Sequence, residues 1–102
     1  MRPSRSNKVD ANQAVIIEAL EKTGATVQTL GAVGNGCPDL LVGRLGLNLL
    51  LEVKNPEGKN EVGDKQAKWM ERWRGQKVVV RDEFEAMRIV LELSQEYARW
   101  NG

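Results

Sequence analysis

The stretch from Gly36 to Lys54 constrains this chain more than any other: Gly-Cys-Pro-Asp-Leu-Leu-Val-Gly-Arg-Leu-Gly-Leu-Asn-Leu-Leu-Leu-Glu-Val-Lys. It reads as two strands with a Gly-containing turn near Leu45 and Gly46. Leu40, Val42, Leu47, Leu49, Leu51 and Val53 form a dense aliphatic set suited to a buried sheet. A hairpin symmetric about that turn brings Asp39 beside Glu52, and directly opposite residues have Cβ atoms about 5 Å apart. The period of two then returns Lys54 to the face of Glu52. Two carboxylates and an ammonium thus converge at one end of a leucine-rich hairpin.

At 102 residues, the chain is expected to form one small domain with one core. Its 41% apolar and 28% charged residues fit a globular protein rather than a disordered one. Fifteen Lys and Arg against 14 Asp and Glu mean that net charge alone gives no sign of nucleic-acid binding. The charge is uneven, because Arg2, Arg5 and Lys8 belong to a Pro/Ser/Asn-containing stretch read as a flexible basic arm over residues 1–9, ahead of a domain over residues 10–102. Such an arm serves either as a solubilising tail or as a phosphate contact.

The lone Cys37 excludes an intrachain disulfide and fits a reducing compartment. The chain has no His, which removes a base for that thiol, Ser-His-Asp chemistry and His-rich zinc sites. No apolar run approaches the roughly 20 residues of a membrane span, and the N-terminus lacks a signal-peptide hydrophobic region. The expectation is a soluble cytoplasmic protein with no membrane contact. No motif identifies a protein partner.

Asp10 and Gln13 suggest a capping box opening a first helix from about Ala11 to Thr23, ended by Gly24. Ile16, Ile17, Ala19 and Leu20 make its inward face and Gln13 shares it, whereas Glu18 and Glu21 point away. A strand is expected at about 25–30, followed by a flexible Gly-rich loop to Pro38. After the hairpin, Asn55-Pro56 ends the pairing and a polar, mobile loop covers 57–63. Asp64 caps a second helix running to about Arg74 and stopping at Gly75, with Gln66, Trp69, Met70 and Trp73 inward. A buried strand over 77–81 leads to the capping box Asp82–Glu85 and a third helix toward Arg99, with Met87, Val90, Leu91 and Tyr97 on its apolar face. The order αβββαβα predicts an α/β fold, a mixed sheet flanked by helices.

Two carboxylates at hydrogen-bonding reach repel, and a divalent cation relieves that repulsion. Asp39 and Glu52 offer hard oxygen ligands suited to Mg²⁺ or Mn²⁺. Lys54 beside them can orient a water and stabilise charge on a phosphate, so the set suits phosphodiester hydrolysis. Glu-Val-Lys by itself reads equally as a weak ion pair on an exposed strand end; Pro-Asp on the paired strand shifts that balance. Trp69 and Trp73 have the residue type to stack bases, but their helical spacing beside Met70 favours a core role. Trp100 is harder to assign, and a dimer contact is one reading of it.

Pro38-Asp39 followed by Glu52-Val53-Lys54 resembles the PD-(D/E)xK nuclease superfamily, whose restriction-endonuclease-like core is αβββαβ; a further C-terminal helix follows here. Within it, Gly36-Cys-Pro-Asp39, Glu52-Val-Lys54, Gln66, Trp69 and Trp73-Arg-Gly75 are similar to the stand-alone, phage-type VRR-NUC nucleases over about residues 12–86. The resemblance implies that Asp39 and Glu52 are metal ligands, that Val53 lends its carbonyl oxygen, and that Lys54 and Gln66 belong to the catalytic set. It places a Glu on the first helix where this chain has Gln13, a weaker, neutral ligand; Glu18 substitutes poorly because of its helical phase. Lys59, Lys65, Lys68 and Arg72 are candidate phosphate contacts or simply solvated charges.

The leading expectation is a Mg²⁺- or Mn²⁺-dependent DNA endonuclease acting as a homodimer. Phage-type members are associated with four-way (Holliday) junctions, which points to branched DNA by analogy. The alternatives are a DNA-binding module that keeps the fold but has weak or no activity, and an unrelated α/β scaffold.

Overall fold

Leu45 and Gly46 both have positive φ, 52° and 89°, the combination whose twist matches the flanking strands of a two-residue hairpin. They join β2 (Leu40–Arg44) to β3 (Leu47–Val53) in a register that runs from Arg44 opposite Leu47 to Leu40 opposite Leu51. β1 (Thr26–Thr29) pairs antiparallel with β2, and β4 (Lys77–Val80) pairs parallel with β3, so the sheet order is β1-β2-β3-β4. The helices are α1 (Asn7–Lys22), α2 (Asp64–Arg72), which makes the parallel crossover from β3 to β4, and α3 (Glu83–Asn101). The computed structural model describes residues 7–54 and 63–101. Among them, no helix is long and apolar enough to cross a membrane.

The element order is the expected αβββαβα, an α/β fold with a mixed sheet. Leu40, Val42, Leu47, Leu49, Leu51 and Val53 are all buried, in one core with Val80, Ile16 and Leu20 of α1, and Ala86 and Val90 of α3. Full burial of such side chains contributes about 1.5–3 kcal/mol each. One left-handed leucine costs only about 1–2 kcal/mol. The aliphatic face therefore holds the register despite Leu45. Arg44 ends the same face: Nε donates to the Thr23 carbonyl at the close of α1 (3.0 Å) and Nη1 to Ser94 Oγ of α3 (2.8 Å). Alternation leaves Leu41, Leu50 and Glu52 on the opposite face, toward α2.

Several element ends differ from expectation. α1 begins at Asn7, so Asp10 lies inside the helix rather than capping it, and Lys8 belongs to the helix rather than to an arm. Arg2 and Arg5 lie outside the described residues, as do Asn55, Pro56 and nearly all of the expected 57–63 loop. Gly63, not Asp64, is the N-cap of α2 and supplies no side-chain bond; Asp64 sits in the first turn, where its charge favours the helix dipole. α2 ends at Arg72 and is closed by Trp73, whose N–H donates to the Trp69 carbonyl, rather than running to Gly75. In α3, Asp82 Oδ1 accepts from the Glu85 amide, while Glu85 Oε1 takes the Arg81 amide, one residue outside the usual box. The buried stripe of α3 is Ala86, Val90 and Ser94, with Met87, Ile89 and Leu93 packed beside it; Tyr97 is exposed. Trp69 and Trp73 are not part of the core.

Leu45→Asn is expected to raise unfolding stability by about 1 kcal/mol, because Asn tolerates the left-handed region at a side chain already half exposed. Gly46→Ala should lower it, since φ is 89° and the added carbon meets Tyr97 Cε2 at 3.2 Å. Urea midpoints at unchanged m-value check both.

Candidate active site

The last ladder pair, Leu40 with Leu51, sets Asp39 and Glu52 opposite one another at the next step. The Val53 amide donates to Asp39 Oδ2 at 2.8 Å, and the Asp39 carbonyl accepts from the Leu30 amide, so the acid is fixed at both its side chain and its backbone. Lys54 extends the pairing with β4 through its amide, which donates to the Val80 carbonyl at 2.9 Å. Its Nζ lies 3.6 Å from Glu52 Oε2, with the two side chains only 14% and 7% exposed. This is not the surface pair that Glu-Val-Lys alone would suggest. Glu18–Lys22 on α1, with both partners more than 70% exposed, is of that kind.

Gln66 joins the set from α2. Its Nε2 donates to Glu52 Oε2, and its Oε1 accepts from Lys54 Nζ at 2.5 Å. One amide thus bridges the acid and the ammonium and fixes their spacing. Only a glycine at position 36 permits this approach: with φ at 85°, a Cβ there would lie 2.3 Å from the Lys65 carbonyl oxygen and 2.9 Å from the Gln66 amide nitrogen. The loop carrying Pro38 and Asp39 therefore packs directly on the first turn of α2.

Burial, and then the neighbouring Asp39 charge, push Glu52 up to about 7, against the pull of Gln66 and Lys54. Asp39 is also raised by burial; the Val53 amide, the Glu52 carboxyl and Lys54 act the other way. The Cys37 thiol is raised by burial and by both acids, the opposite of what an activated nucleophile needs. Among the described residues, the buried Glu52 Oε1 has no hydrogen-bond partner. Two converging carboxylates, one with an orphaned oxygen, fit a hard divalent cation. Among the described residues no group of three or more His, Cys, Asp or Glu side chains could hold a metal, so the remaining ligands would be backbone carbonyls, amides or water.

Asp39, Glu52, Lys54 and Gln66 are thus brought together, with Val53 buried between the acid and the lysine. Gln13 is half-buried on α1. The α1 side chain that hydrogen-bonds to the strand ends is its neighbour Asn12, whose Nδ2 reaches the carbonyls of Lys54 (3.3 Å) and Arg81 (3.4 Å). Asn12 was legible only as the polar member of the Asn12–Ile16–Leu20 stripe. Lys65, Lys68 and Arg72 are exposed along α2, and Lys59 lies outside the described residues.

Compared with solved structures, the chain matches one described as a "VRR_NUC domain", with a TM-score of 0.64 and 28% identity over 82% of this chain and 95% of the other. The fold is that of a VRR-NUC domain. No family model and no curated protein matches the sequence. On this fold the hairpin supplies both acids and the lysine, while the crossover helix supplies the glutamine.

Gly36→Ala is expected to cost about 1–3 kcal/mol, because backbone rather than a flexible side chain must give way; chemical denaturation measures it. The raised Glu52 value also sets a pH dependence. Between its ordinary value of 4.5 and about 7 the folded chain holds a proton that the unfolded chain has released, so stability falls as pH rises through that window. In EDTA, the Tm at pH 8 should lie below that at pH 5, and Glu52→Gln should flatten the difference.

Proposed function

We propose that this VRR-NUC domain is a nuclease that hydrolyses DNA phosphodiester bonds with the help of Mg²⁺ or Mn²⁺. The observation that carries the reading is the buried Glu52–Gln66–Lys54 cluster beside Asp39, with Glu52 Oε1 unpartnered. Asp39 and Glu52 would hold the cation, with the Val53 carbonyl, and Gln13 through a water, as further ligands. Bound there, the ion would supply Lewis-acid stabilisation of the phosphate and a more acidic water. Lys54 Nζ, steered by Gln66, offers a positive charge and a proton donor to an oxygen of the scissile phosphate or to the attacking water. Lys65, Lys68 and Arg72 on α2, together with Lys59, would contact flanking phosphates.

A symmetric homodimer, to which the 76%-exposed Trp100 is suited, would present two sites to two strands, a geometry that favours branched DNA such as a four-way junction. One observation favours a second reading: no third acid joins Asp39 and Glu52 among the described residues. A weak cation site would leave a DNA-binding module with little or no turnover.

Labelled four-way junction, flap and linear duplex decide between these readings. Mg²⁺ or Mn²⁺ should support incision of a branched substrate, EDTA should abolish it, and Lys54→Ala should reduce it by about 10²–10³-fold. Either ion should also raise the Tm of the wild type at pH 8, but not that of Glu52→Gln. Binding without incision under either metal selects the second reading, with Gln13→Glu as the variant that should restore activity.

A further inference from the structure

Beside the acidic cluster, on the same face of the sheet, lies a groove of about 510 Å³ that the chemistry above does not use. Trp69 and Trp73 of the α2 region form one side, Leu41 and Leu50 of the sheet the other, and Cys37 lines the groove two residues from Asp39. The two indoles stack with centroids 4.8 Å apart and planes 16° from parallel. Trp73 remains 39% exposed, so the pair is not filling a closed core. Gln66, Trp69 and Trp73 follow at i, i+3 and i+7 along one helical stripe. The stripe leads from the bridging amide directly into the groove.

The charge around the groove suits a polyanion rather than an aliphatic peptide. Two cations sit against its indole wall: the Arg72 guanidinium carbon lies 5.9 Å from the Trp69 ring centroid, and Lys77 Nζ donates to the Trp73 carbonyl at 2.8 Å. The segment 64–77 that carries them has five cations against two acids. Asn48 and Gln76, whose amides can donate and accept, also line the cavity. A volume of this size, apolar walls and a few polar groups match a small planar ligand. A paired base is stacked inside a duplex and cannot enter, whereas an unpaired one can.

We propose that the groove takes one unpaired nucleobase of the strand under attack, held against the Trp69–Trp73 wall and next to the phosphate at the Glu52–Lys54 site. This rests on the nuclease reading and adds a substrate class to it: DNA with at least one unpaired nucleotide beside the scissile bond. Stacking supplies an anchor that is indifferent to base identity, because every base has a π face. Selection for branched or frayed DNA then follows from which substrates can offer a free base, without any sequence readout.

Anisotropy of a short fluorescein-labelled single-stranded oligonucleotide, measured in EDTA so that no cleavage intervenes, tests this. A series with one abasic site moved along the strand should contain a position that weakens binding by about ten- to a hundredfold. Trp73→Leu, which keeps apolar bulk but removes the indole, should bind the intact strand as weakly as the best abasic one and no longer distinguish the two. Trp73→Phe should keep part of the distinction, and controls for a fold lost in the leucine variant. Equal binding of intact and abasic strands by the wild type would overturn the groove and leave the nuclease reading in place. Failure to bind any oligonucleotide or junction would overturn both. A wild-type dimer that Trp73→Leu turns into monomers in sedimentation velocity would make the groove an interface between copies and overturn the proposal.

Discussion

The register of the β2–β3 hairpin is the constraint on which everything else rests. Side chains alternate along a strand, so a slip by one residue would carry Leu40, Val42, Leu49 and Leu51 out of the core and turn Asp39 and Glu52 into it. The aliphatic cost of that slip is several leucines, and the electrostatic cost is two carboxylates buried among α1 and α3. Both penalties act in the same direction. The hairpin therefore specifies a core and a polar cluster with one alignment, and the two-residue turn at Leu45 and Gly46 closes only that alignment.

Given the register, the remaining parts are placed by contacts at two points. Gly36 admits the first turn of α2 to the loop before Asp39, which lets Gln66 reach both Glu52 and Lys54. Asn12 gathers the carbonyls of Lys54 and Arg81 at the ends of β3 and β4 and so ties α1 to the same edge. The two partners act from opposite faces of the sheet. One fixes side chains; the other fixes backbone.

Much of this is legible in the amino-acid sequence. The six core aliphatics and the opposition of Asp39 to Glu52 follow from a period of two and a centred turn; helical phase turns Gln66 inward, and only the family resemblance assigns it to the catalytic set. What was not legible depends on how closely separate elements approach. Nothing local distinguishes Gly36, which must let a helix backbone pass, from Gly31, which meets nothing within 4 Å. The start of α1 differs from the expected one because Asp10 and Gln13 have the residue types of a capping box, yet the helix continues through them to Asn7. Trp69 and Trp73 have the same spacing whether a facing surface closes over them or leaves a groove. Helical phase gives direction, not depth.

The cluster itself is poor stabilising chemistry. Removing ions from water costs several kcal/mol each, and mutual attraction offsets this only where every lone pair finds a partner. Here Glu52 Oε1 finds none among the described residues, and burial beside Asp39 pushes Glu52 up to about 7. A domain whose net stability is on the order of 5–15 kcal/mol retains such an arrangement only because the leucine face is large enough to carry it. An aliphatic residue at position 52 would relieve the strain at once, and a glutamine at position 66 would then have nothing to bridge. The pairing of an under-satisfied acid with an amide and a lysine, opposite a second acid, makes physical sense when a cation and a phosphate complete the charge balance. The neighbouring indoles extend that logic from the phosphate to the base it carries.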